Sequence, residues 1–79
     1  MERIGQMYVD ALSKKYEAEM QEAKATLALY FNNLVAIGEH SDLMEEHDKW
    51  VDKYTNAKDK LESLQTIINE LNVETPING

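Results

Sequence analysis

The chain has 79 residues, no cysteine, one proline and three glycines, and 15 acids against eight bases leave a formal net charge of −7. That length fits one small domain burying a modest share of its surface, so help from a partner is expected, and the lack of cysteine excludes disulfides and thiolate metal sites. A surface of this sign repels phosphate backbones, so no direct nucleic-acid binding is expected, although an acidic decoy for another protein's basic groove stays open.

The first stretch, MERIGQMYVDALSKKYEAE, lacks the unbroken apolar run of a signal peptide, and nothing approaches the roughly 18 to 20 apolar residues that cross a bilayer. No membrane contact and a cytoplasmic location are expected. The usual helix breakers fall at Gly5, Gly38, Pro76 and Gly79, leaving 32 uninterrupted residues before Gly38 and 37 after it. The first helix is predicted over about 2–37. Its seam runs through Tyr16, Met20, Ala23, Leu27, Tyr30, Leu34 and Ile37 in alternating steps of four and three, and continues more loosely through Val9, Leu12, Tyr8 and Ile4.

Next comes IGEHSDLMEEHDKW, which gathers both histidines and five acids, with residues 39–48 carrying no base. A turn over about 38–41 accounts for most of it. Gly38 can take the left-handed conformation that closes a helix, Ser41 or Asp42 can cap the next one, and Asp42, Glu45 and Glu46 sit where the positive end of a helix dipole favours carboxylates. The second helix is predicted over about 42–72. Leu43, His47, Trp50, Tyr54, Ala57, Leu61, Leu64, Ile68 and Leu71 form a heptad seam over four repeats, and residues 73–79 are expected to be a flexible tail.

A connection this short brings the second helix back beside the first, so the fold class is all-α, an antiparallel two-helix coiled-coil hairpin forming a single domain over 1–72. Two layer pairings are compatible with it: Leu34 opposite Leu43 with Leu27 opposite Trp50, or Ile37 opposite His47 with Leu34 opposite Trp50. Leu29, Phe31, Val35, Met44 and Val51 are apolar but off the seams. Phe31 and Val35 lie one turn apart and Met44 and Val51 one heptad apart, so these four are the expected oligomer interface, most simply of a homodimer forming a four-helix bundle.

No catalytic residue, metal site or cofactor is predicted. His47 could form a pH-sensitive polar layer or a ligand, but a partly buried histidine satisfied by water or a carboxylate is the ordinary case. His40 and His47, with Glu39, Asp42, Glu46 and Asp48, resemble a metal set in composition alone: two histidines four apart, HExxH and Glu-x-x-His are all missing. A two-helix hairpin encloses no cleft for paired carboxylates, and no nucleophile constellation or phosphate loop is present, so the chain is not expected to be an enzyme. Lys49, Lys53, Lys58 and Lys60 have acids at Glu45, Asp52, Asp59 and Glu62 for pairing, as in Glu45 with Lys49, and read as a solvated face. The tail VETPING should fray unless it serves as a short epitope.

At the turn, IGEHSDLMEEHDK resembles the Gly-Glu-His-x-Asp turns of small helical-hairpin proteins of tailed bacteriophages, and NAKDKLESL is similar to their second helices. Ser41 departs from that pattern, which often has proline there. The resemblance covers about a third of the chain and implies a small accessory viral protein in the host cytoplasm, with no catalytic residues to carry over. The expected function is therefore a small acidic protein–protein interaction module that self-associates and meets an unidentified protein partner. The competing readings are an inhibitor or charge-mimicking decoy of a host enzyme, and a structural or scaffold component.

Overall fold

The computed structural model describes residues 3–32 and 43–74. They form two helices in contact, α1 (Arg3–Asn32) and α2 (Leu43–Glu74), with no strand among the described residues. The fold is the all-α helical hairpin that the periodicity requires. Gly38, the capping residues Ser41 and Asp42, the seam residues Leu34 and Ile37, Val35, His40 and residues 75–79 lie outside the described residues. Helix α2 continues through Glu74, with Glu45 and Glu46 in its first turn against the dipole's positive end. Inside it there is no glycine or proline, and its middle, AKDKLESL, is rich in strong helix formers.

The pairing direction follows from three contacts. Tyr30 meets Glu46 and His47, whereas Tyr16 meets Lys60, so position numbers fall along α1 as they rise along α2. The helices are antiparallel. Tyr30 beside His47 selects the first of the two layer pairings, the one that sets Leu27 opposite Trp50; the other would have moved His47 a full heptad further along, to Ile37. The molecule is a rod with extents of 59 × 18 × 15 Å.

Among the described residues Ala23 and Ala57 are the two fully covered core positions, and no large side chain is completely buried. This is geometric necessity, because a helix with one neighbour covers a stripe and leaves its flanks open. Of the seam side chains, Tyr16, Met20, Leu27, Tyr30, Leu43, His47, Trp50, Tyr54, Leu61, Leu64 and Ile68 are half-buried. Along α1 the covered stripe is wider than one heptad track. Glu19 and Thr26 are half-buried beside Met20 and Leu27, so the partner helix straddles the row Val9, Tyr16, Ala23, Tyr30.

Two expectations need correction at the end away from the turn. Leu71, placed in the seam, is 56% exposed. Counted from Tyr16 beside Lys60 or Tyr30 beside His47, Leu71 comes level with Gly5 or Gln6, in the first turn of α1, where little lies opposite to cover it. Ile4 and Tyr8, placed in the loose continuation of the α1 seam, are also exposed, while Val9 and Leu12 carry that seam. Tyr8 lies about 100° around the helix from Val9 and so points away from α2.

Candidate interaction surface

Near the turn, Phe31 stacks on the His47 ring with centroids 5.3 Å apart and planes 15° from parallel, and Tyr30 meets the same ring edge-on at 5.5 Å. The imidazole is thus held from α1 by two aromatic rings. His47 Nδ1 lies 2.8 Å from the carbonyl oxygen of Leu43. A carbonyl can only accept, so Nδ1 carries the proton and is satisfied by the ring's own helix. Met44 and Val51 stand three residues before and four after His47, hence on its side of α2. Together Phe31, Met44 and Val51 make an apolar patch around the covered histidine, and all three are exposed, Met44 at 80%. The structure brings together these three of the four predicted interface residues; Val35 lies outside the described residues.

The polar contacts around the patch are surface contacts. Tyr30 Oη donates to Glu46 Oε1 across the helices at 3.4 Å, a long hydrogen bond. Glu46 also pairs with Lys49 at 3.6 Å, which corrects the expected Glu45–Lys49 pair: the side chain three residues back reaches the ammonium. Lys49 and Lys53 lie over the Trp50 ring, 5.4 and 5.2 Å from its centroid. Trp50 Nε1 is buried without an acceptor among the described residues.

At mid-rod, Lys15 and Glu19 form the shortest ion pair among the described residues, 2.7 Å. The hydrogen bond from Lys15 holds the Glu19 carboxyl below its ordinary value; the charges of Lys15, Lys60 and Lys53 add to this, and partial desolvation opposes it. The hydrogen bond to Glu19 and its charge raise Lys15 in turn. Lys58 pairs with Glu62 at 3.5 Å, so part of the basic cluster is neutralised within its own helix. Among the described residues no group of three histidine, aspartate or glutamate side chains converges on a point that could hold a metal ion. No described helix is long and apolar enough to cross a membrane.

A second apolar region, at the open end, escaped the heptad reading. Ile4, Met7, Tyr8 and Ala11 line a shallow depression on α1, and Ile67 and Leu71 are exposed on α2. The signal was present in the spacing of Ile4, Met7, Tyr8 and Ala11, which is that of one apolar helix face. It is obscured because Ile4 and Tyr8 also fit the loose continuation of the α1 seam. Against protein-family models, curated proteins and solved structures, the chain shows no match.

Proposed function

We propose that the chain is a small, acidic, non-enzymatic interaction module that associates with copies of itself through Phe31, Val35, Met44 and Val51 and offers its charged outer faces to a further protein partner. The observation that carries this reading is the cluster of Phe31, Met44 and Val51 around His47, an exposed apolar patch built from both helices. The centre of a protein interface is apolar and aromatic, with methionine enriched, and this patch has that composition. The smallest assembly is a pair of hairpins with four helices at the contact. The resemblance of the turn to phage hairpin proteins fits an accessory viral protein acting in the host cytoplasm.

The concentration of acid near the turn favours a second reading, a charge-mimicking inhibitor of a host enzyme or a component of a larger assembly. Co-expressing two differently tagged copies and capturing one, at low salt and at about 1 M salt where screening acts within about 3 Å, tests the first. Recovery of the other copy at both salts supports self-association through apolar surface. Failure to recover it at either salt rejects that reading, and a host protein captured at low salt and lost at high salt favours the decoy.

A further inference from the structure

We infer that the face of α1 turned away from α2 is a second seam, and that its occupant is the same face of α1 in a second copy, laid antiparallel. Helix α2 covers the row Val9, Tyr16, Ala23, Tyr30. Positions two residues before or after that row point about 200° away from it, to the outer side of α1. There Ile4, Met7, Ala11, Ala18, Ala25 and Ala28 follow the alternating steps of a coiled-coil seam, with Lys14 and Gln21 filling the places between, and all of these residues are exposed. Tyr8 and Leu29 border the same face toward its two ends, 69% and 53% exposed. The outer face is thus apolar or small along most of the helix, and large apolar side chains mark both ends.

The charges along the edges of this face select the occupant, its direction and its register. With Ala18 opposite Gln21 of an antiparallel second copy, Ala11 faces Ala28 and Lys14 faces Ala25. Each long side chain then meets a small one, and the Lys14 head reaches water. The flanking positions set Glu17 against Lys24, Lys15 against Glu22 and Tyr8 against Leu29, each twice about the two-fold axis. Among the described residues Glu17, Glu22 and Lys24 enter no ion pair within the hairpin, so they are free to pair across the contact, while Lys15 is shared with Glu19. Sliding the second copy by one heptad sets Lys15 against Lys15 and Glu17 against Glu17 in one direction, and Glu22 against Glu22 and Lys24 against Lys24 in the other. A parallel copy sets Glu17 against Glu22. Of these arrangements, the first alone brings no like charges together, and like charges across a contact exclude the wrong partner and register. The contact uses neither Met44 nor Val51, so it goes beyond the turn-end patch and is tested apart from it.

Charge reversal and cross-linking test this. Glu17→Lys and Lys24→Glu each put like charges across the contact, so each variant alone should associate about tenfold more weakly than wild type. An equimolar mixture of the two sets opposite charges face to face again and should recover the wild-type affinity as heterodimers. Both positions are exposed, and circular dichroism of each variant checks that the helices persist. The chain has no cysteine, so introduced ones read the register directly. Under mild oxidation Ala11→Cys mixed with Ala28→Cys should yield a disulfide between copies, and neither variant alone should, because only facing positions come within disulfide reach. If the copies associate but the charge mixture does not recover or the cysteine mixture does not link, the seam inference falls and association through the turn-end patch stands. Ready linking of Ala11→Cys to itself would show a parallel contact and also overturn the inference. A wild-type chain monomeric at every concentration overturns both.

Discussion

Ala23 and Ala57 decide how closely the helices approach, since among the described residues they are the positions where side chains are wholly enclosed. Ala57→Leu must push the helices apart or force strained rotamers, so it should destabilise the hairpin by about 1–3 kcal/mol, read by urea unfolding followed by circular dichroism. An unchanged midpoint would mean that the helices do not meet at Ala57. Trp50 offers a contrast, because its indole N–H is buried without an acceptor among the described residues. Trp50→Phe removes that donor along with some apolar area, so it should cost less than about 1.5 kcal/mol, while Trp50→Ala should cost about 2 kcal/mol or more. A loss at Trp50→Phe well above about 1.5 kcal/mol would show that the N–H is paired in solution. The Lys15–Glu19 pair supplies a pH dependence. The lowered Glu19 contributes stability that is present above its unfolded-state value and lost as pH falls through its folded value. Raised Lys15 contributes stability that is complete below its unfolded-state value and lost as pH rises through its folded value. Both side chains keep a large share of their surface in water, so the effect is small. Melting temperatures of wild type and Glu19→Gln should differ most at neutral pH and converge toward both extremes; a difference that grows toward acid would contradict the assignment.

For the helices themselves, the seam of α2 was legible because its apolar residues obey one strict spacing from Leu43 to Ile68, and all the described seam positions in that range are at least half covered. Leu71 fits the same spacing but fails, since periodicity states which face a residue is on and not whether the partner has anything opposite it. Only the first turn of α1 lies opposite. Leu64→Ala should therefore cost about 1–3 kcal/mol, below the range for a fully buried leucine because Leu64 is half covered, whereas Leu71→Ala should stay within about 0.5 kcal/mol. A comparable loss at both would mean that the open end is covered in solution. The α1 seam was harder to read because Met20 and Leu27 compete with Glu19 and Thr26 for the same partner surface, and a carboxylate and a hydroxyl do not register as apolar positions. The choice between layer pairings depended on His47 meeting Tyr30 and Phe31, a contact set by side-chain fit that spacing alone does not encode.

For the molecule as a whole, a radius of gyration of 17.8 Å stands against about 11.6 Å for a compact domain of this length, and the difference reflects the 59 Å length of the rod. The exposed apolar side chains are divided between the two ends. The turn-end patch was legible in the sequence from Phe31, Met44 and Val51 as residues off their seams; the open-end patch was not, since Ile4 and Tyr8 also fit a seam. Truncating Phe31 to alanine should weaken association by about 2–3 kcal/mol while leaving the helical signal of the isolated hairpin nearly unchanged. Loss of helix in parallel with loss of association would show instead that Phe31 supports the fold through His47. The claim on which the account chiefly depends is that a lone hairpin is incomplete, and sedimentation equilibrium over a wide concentration range at about 0.15 M salt, where charges are screened beyond about 8 Å, measures it directly. The account predicts a weight-average mass that starts at the monomer and rises with concentration; a mass fixed at the monomer throughout would contradict it.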